Sequence, residues 1–396
     1  MTSPATDKRT INSPRQILFA SLVGTAVEFF DFYIYATASV LVFPKLFFPT
    51  SNPASSILAS LATFAIAFVA RPIGSALFGH FGDRIGRKRT LVLALLTMGI
   101  STFVIGTLPS YQMIGLPAPL LLALCRFGQG IGLGGEWGGA VLLAVENAPP
   151  SKRALYGIFP QLGAPLGFLL SGGIFLALSR WLSDAQFFAF GWRLPFLASA
   201  VLVLLGLYVR LSITETPVFE SAMKRMVPKK MPIAEVLNRH ARAVVAGILV
   251  CLATFVLFYL MTVFALSWGT TALHYPRAQF LVMQLIAVVF FGATIPLSAW
   301  LAERGRRPVM FGVSVLIAVF GLFMAKMFAA GPTGALWMMI VGLALMGATY
   351  GPLGTIVSEL FPTEVRYTGS SLAFSMAGIL GASLAPYIVS HLSATI

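Results

Sequence analysis

A chain of 396 residues in which 58% are hydrophobic and only 10% charged has too little polar surface to coat a soluble globule. The formal charge of +14 would suit a nucleic-acid partner, but the placement of the basic residues along the chain excludes one. Cys125 and Cys251 both fall in apolar segments, which excludes a disulfide framework and leaves them as small packing residues.

A helix needs about 20 apolar residues to cross the hydrocarbon core of a bilayer. Windows of that size predict spans at 17–41, 55–79, 91–108, 119–145, 155–178, 190–211, 243–267, 279–301, 309–330, 335–357 and 371–393. Lipid requires every backbone polar group to be satisfied internally, and no barrel-like alternation is present, so these eleven spans are expected to be helices. The first is too long for the core of a cleavable signal and carries Glu28 and Asp31 in its middle, so it is expected to stay as a membrane helix.

With residues 1–16 placed in the cytoplasm, 20 of the 27 Lys and Arg fall on that side. Five fall opposite, and Arg71 and Arg126 lie within spans. This positive-inside bias explains the basicity and predicts a multi-pass membrane protein with a cytoplasmic N-terminus. The stretch 212–242 separates a bundle of six spans (17–211) from one of five (243–396). Its Lys224, Arg225, Lys229 and Lys230, with Pro228 and Pro232, read as a solvated linker lying on an anionic lipid surface.

The two bundles echo each other. The turn Gly79-His80-Phe81-Gly82-Asp83-Arg84-Ile85-Gly86-Arg87-Lys88 recurs, shortened, as Leu301-Ala302-Glu303-Arg304-Gly305-Arg306-Arg307, about 220 residues later. Glu146 and Arg153 match Glu359 and Arg366, both at an offset of 213. Matched landmarks at a long period imply a duplicated membrane unit, which makes transport the leading expectation.

Ionisable residues inside a membrane cost roughly 2.5–3.5 kcal/mol each on insertion scales and therefore need a partner or a wet cavity. Five qualify: Glu28, Asp31, Arg71, Arg126 and Glu136. At a rise of 1.5 Å per residue, Arg71, Glu136 and Glu28 lie roughly 12, 14 and 16 Å from the cytoplasmic ends of their spans, and Asp31 and Arg126 roughly 20 Å. Glu28 and Asp31 share one helix face; Arg126, Gln129 and Glu136 share another, so two polar stripes are expected to line one cavity. A sheltered carboxyl can take up and release a proton as access alternates, and an arginine fork suits a substrate carboxylate. Asp31, Glu136 and Glu28 are thus the proton-coupling candidates, with Arg126 and Gln129 for substrate; Arg71, followed by Pro72, reads as structural. Tyr259 and Thr262 in the seventh span and Gln161 in the fifth are lesser candidates for the path.

Span four also carries Gly128, Gly130, Gly132, Gly134, Gly135, Gly138 and Gly139, a spacing that lets helices approach closely. No strand precedes it, so it is not a phosphate loop. His80, His240, His274 and His391 share no metal-binding spacing. With no nucleophile–base pair or cofactor motif either, an enzyme is not expected, and no cofactor beyond a coupling proton is called for.

The Gly79–Lys88 turn and the run Arg126-x-x-Gln129-Gly130-x-x-x-Gly134 resemble the signatures of the major facilitator superfamily. Gly24–Phe32, Arg71-Pro72-Ile73-Gly74, Gly134–Ala140 and Glu359–Arg366 narrow the resemblance to its metabolite:proton symporters. That group handles shikimate, α-ketoglutarate, citrate and proline/betaine; the shikimate type is nearest, favouring an organic anion. The resemblance implies an all-α membrane fold of two pseudo-symmetric six-helix bundles, of which eleven spans are visible and the twelfth absent. It further implies a cytoplasmic latch built from Gly79, Asp83, Arg84, Gly86, Arg87 and Lys88. Asp83 would meet the start of span eleven, and Arg84 or Arg87 would pair with Glu146. Arg304 or Arg306 with Glu359 would be the weaker mirror. The expected protein is a monomeric, lipid-embedded, proton-coupled importer of a small organic acid working by alternating access. Proton-coupled export, or a non-transporting sensor on the same fold, is the alternative.

Overall fold

The computed structural model describes residues 14–50, 52–85, 87–134, 136–146, 148–212, 232–362, 365–384 and 388. Among these the secondary structure is helical and no strand is present. The first half comprises α1 (Pro14–Leu41), α2 (Pro53–Ile85), α3 (Arg87–Thr107), α4 (Pro117–Gly134), α5 (Trp137–Glu146), α6 (Arg153–Trp181) and α7 (Arg193–Ser212). The second half follows the short α8 (Pro232–Arg239). It contains α9 (Ala241–Tyr259), running through a π turn at Leu260–Phe264 into α10 (Ala265–Thr271). Then come α11 (Arg277–Arg304), α12 (Arg306–Ala329), α13 (Gly331–Glu359) and α14 (Arg366–Gly378), the last extended by a π turn at Ile379–Leu384.

Apart from span ends, a turn at Glu136 and one at Trp192, the described residues of the eleven predicted spans are helical, and eight described helices are long and apolar enough to cross a membrane. The departures lie in the polar spans. The fourth is divided into α4 and α5, and the seventh is unwound by its π turn. Gln284 Nε2 donates to the Thr262 carbonyl at 2.7 Å, taking up an acceptor at that turn. Residues 213–231 of the expected linker lie outside the described residues, and its last part forms α8, which packs on α14.

Lipid tails are as apolar as leucine, so helices here associate through close packing, not hydrophobic burial. Span four supplies the clearest case. A Cβ on Gly130 or Gly134 would land on the α2 carbonyls of Ala67 and Arg71, so α4 and α2 meet backbone to backbone. The Ser75 hydroxyl donates to the Gly134 carbonyl, which ends α4 and has no place in a continuing helix. Within the first half α1 packs on α6 and α7; within the second α11 and α12 pack on α13, and α9 on α14. The halves meet along α6–α11 and α2–α14.

Candidate functional site

Between the halves lies a cavity lined by rings and a few polar groups from both, the usual make-up of a small-molecule site. The first half contributes Glu28, Phe29, Phe32 and Tyr33 from α1, Arg71 from α2, Trp137 and Gly138 from α5, and Ala164 from α6. The second half contributes Thr254, Phe255, Phe258 and Tyr259 from α9, Met346 and Tyr350 from α13, and Ser371, Phe374 and Ser375 from α14. Charge thus enters from one half only, as Glu28 and Arg71. The other half supplies hydroxyls and rings.

Aromatic pairs from opposite halves bound this space. Toward the end that carries most of the Lys and Arg, Trp137 of α5 stacks on Phe374 of α14, 3.7 Å between centroids and 5° between planes. Both rings sit about 12–14 Å from that end at 1.5 Å per residue. On the other side Tyr33 contacts Phe258 at 5.4 Å, and Phe32 contacts Tyr259 edge-on at 6.4 Å. A π turn follows immediately after Tyr259, and such turns recur at functional positions.

The buried acids and bases separate into two groups. Glu28 faces the Glu136 carboxyl just behind the cavity wall. Glu136 Oε1 accepts from Arg210 Nη1 at 2.9 Å, with Glu136 wholly buried and the arginine 15% exposed. Arg210 stands at the inner end of α7, and its side chain returns along α1 beside Gly24. Arg71 lies across the rings of Phe32 and Phe68, at 4.9 and 4.8 Å from their centroids. Its Nε has no hydrogen-bond partner among the described residues.

The second group is Asp31, Arg126 and Gln129, and it is not on the cavity wall. Arg126 is fully buried in a cage of Tyr35, Phe32 and Phe64, at 4.0, 4.5 and 4.8 Å from their ring centroids. Its Nη1 donates to Gln129 Oε1 at 2.9 Å, and Gln129 Nε2 donates to the Thr102 hydroxyl at 2.8 Å. Asp31 is flanked by the hydroxyls of Thr102 and Ser199. Neither of its oxygens meets the hydrogen-bond criteria with any described residue, and no ion pair joins it to Arg126. The expectation of one continuous stripe from Arg126 through Gln129 to Glu136 is corrected by the break between Gly134 and Trp137. That break changes the helical register, so the two ends of span four face different neighbours.

The other predicted positions fall as follows. Tyr259 lines the cavity. Gln161 is buried behind it, donating to the Tyr350 carbonyl at 2.9 Å and accepting from Trp137 Nε1 at 3.3 Å. The side chains of residues 79–91, with Asp83, Arg84, Arg87 and Lys88, lie outside the described residues, as do Gly86 and the Glu146 side chain, while the Gly79 backbone belongs to α2. Of the mirror turn, Arg306 pairs with Glu359, while Arg304 stacks on Trp300 at 4.2 Å.

Glu303, which occupies the place of Asp83 in the repeat, was not singled out by its sequence. Its Oε1 accepts from the N–H groups of Ala154 and Leu155, at 2.7 and 3.1 Å, capping α6 from the opposite half. The Thr355 hydroxyl donates to the Arg153 carbonyl beside it at 3.3 Å. At the far end Arg277 of α11 pairs with Asp184 at 2.9 Å and covers the Phe187 ring at 4.0 Å, also between halves. Glu303→Ala removes a cap worth about 0.5–2 kcal/mol, so it should favour opening at that end. A cysteine at buried Thr355 should then be alkylated about fivefold faster; an unchanged rate would mean that the cap does not hold the halves together.

Two helical bundles, a cavity of mixed charge at their interface and bridges at both ends define a membrane carrier, which binds at the midplane and opens its ends in turn. The chain belongs to the major facilitator superfamily, whose model matches residues 21–386. It is 57% identical to the inner membrane metabolite transport protein YhjE of Escherichia coli, over 96% of this chain and 88% of that one. It is 37% identical to the shikimate transporter of the same organism, over 99% and 90%. Its fold matches the xylose transporter XylE from E. coli in a partially occluded inward-open conformation, with a TM-score of 0.72 at 18% identity, covering 97% of this chain and 98% of that one. It is therefore a multi-pass membrane transporter for small molecules, and not an enzyme.

Proposed function

We propose that this chain is an inner-membrane, proton-coupled symporter that imports a small organic acid, with its N-terminus in the cytoplasm. The observation that carries the reading is the placement of Arg71 on the cavity wall beside the Glu28–Glu136–Arg210 cluster. Glu136 is already held by Arg210, and like charges so close disfavour a second ionised carboxyl beside it. Glu28 is the member of the pair on the cavity, so it is the one that exchanges a proton with water. When Glu28 is ionised it competes for Arg71; once protonated, it leaves the Arg71 fork to a substrate carboxylate. Proton and anion then travel together, because the site binds the anion well only after the proton has arrived. The positive-inside count supports the orientation, and the similarity to a shikimate transporter supports an organic acid.

Asp31 has a different role in this scheme. Enclosed away from the cavity beside the Thr102 and Ser199 hydroxyls, it sits where α1 meets α3 and α7 and does not exchange protons with the cavity. Proteoliposomes with an imposed inward proton gradient test both assignments. Glu28→Gln should bind substrate and support exchange but lose accumulation, whereas Asp31→Asn should still accumulate it. Accumulation by Glu28→Gln equal to that of the unaltered protein, or uptake insensitive to a protonophore, would refute the coupling scheme. Proton movement of opposite sign on adding substrate would indicate export.

A further inference from the structure

By hydrogen-bond geometry the cavity holds three buried polar groups without a partner among the described residues: Arg71 Nε, the Ser371 hydroxyl and the Tyr350 hydroxyl, whose neighbour, the Trp137 indole, donates to Gln161 instead. Arg71 is 7% exposed, Tyr350 3% and Ser371 5%, and all three line the same space. A buried polar atom left unmatched costs more than the hydrogen bond it could make, so a site with several is completed by what binds in it. Thr254, by contrast, is already matched, donating to the Thr349 hydroxyl at 2.8 Å.

The unmatched groups differ in kind and in place. The single guanidinium comes from the first half, and the two hydroxyls come from α13 and α14 of the second. Glu28 stands beside the guanidinium and would repel a second carboxylate whenever it is ionised. From this arrangement, and resting on the proposed symport reading, we infer that the substrate is a hydroxylated monocarboxylate. Its carboxylate meets Arg71, and its hydroxyls meet Tyr350 and Ser371. The ligand therefore ties one half of the protein to the other. A dicarboxylate would leave its second charge facing rings and hydroxyls, and a quaternary ammonium compound would leave both hydroxyls unmatched.

The test measures binding to the purified full chain by thermal shift and titration, using quinate, gluconate, cyclohexanecarboxylate, succinate and glycine betaine as probes. Quinate or gluconate should bind at least tenfold tighter than cyclohexanecarboxylate, which offers the carboxylate without the hydroxyls. Tyr350→Phe and Ser371→Ala should each weaken the hydroxy acid about tenfold and leave cyclohexanecarboxylate unchanged, the equivalent of one lost hydrogen bond. Tighter binding of succinate or betaine, equal weakening of all probes by both variants, or no binding of either hydroxy acid would overturn the inference. Proton-driven uptake of succinate would overturn it while leaving symport standing. Tight hydroxy-acid binding without proton-driven uptake would sustain it while refuting symport.

Discussion

Arg210→Ala should be the most destabilising single change in the first half, costing the fold about 3–5 kcal/mol, because it leaves the Glu136 carboxylate buried without its cation. Glu136 is fully enclosed and its second oxygen, Oε2, has no partner among the described residues, so no water-exposed route relieves the charge. Glu28, already facing Glu136, makes the loss worse by adding a second carboxyl to the same site. The double variant Arg210→Ala/Glu136→Gln should recover most of the lost stability, since the amide buries no charge. The measurement is the thermal unfolding midpoint in detergent, with recovery of monodisperse protein as a second readout. An Arg210→Ala protein that melts with the unaltered chain, or a double variant no more stable than the single, would show that the pair does not hold α5 to α7.

The architecture was legible in the sequence because lipid imposes a single strong rule. Each apolar window had to become a helix, and the charged turns between them had to reach water. The breaks inside spans were not legible in the same way. Glycine between Gly128 and Gly139 announced close packing, but nothing in the pattern placed the interruption between Gly134 and Trp137. That interruption decides the site, since it turns Glu136 toward Arg210 and Trp137 toward Phe374 while leaving Arg126 on another face.

The acids and bases were legible as residues needing partners, yet their partners were only half legible. Glu136 called for a cation, and Arg210 lay within side-chain reach of the membrane, but at the inner end of the sixth span it read only as one of the basic residues on the cytoplasmic side. Arg71 looked structural because Pro72 follows it; α2 carries that proline and still presents the guanidinium to the cavity. Tyr350 and Ser371 gave no sequence signal, being one aromatic and one small hydroxyl among many, and they become informative only through what surrounds them. Glu303 did have a signal. Its position matched Asp83 in the repeat, and the duplication could have nominated it.

Arg71→Lys distinguishes the two arginines that could hold a substrate carboxylate. Lysine keeps the charge but loses the planar fork and cannot lie across Phe32 and Phe68 as the guanidinium does. Truncating one partner of a buried charged hydrogen bond costs about 2–5 kcal/mol, so apparent affinity should fall from about thirtyfold to several thousandfold. Arg71→Ala should lie at the upper end, with part of its effect arising from the space left between the two rings. Arg126→Lys provides the contrast, because Arg126 is enclosed by Tyr35, Phe32 and Phe64 and tied to Gln129, away from the cavity wall. It should lower the unfolding temperature through poorer packing while leaving KM for uptake within about twofold. The opposite result, a large rise in KM for Arg126→Lys with Arg71→Lys near normal, would move the substrate carboxylate behind the aromatic cage. The cavity between the Trp137–Phe374 and Tyr33–Phe258 pairs would then be a passage and not the binding site.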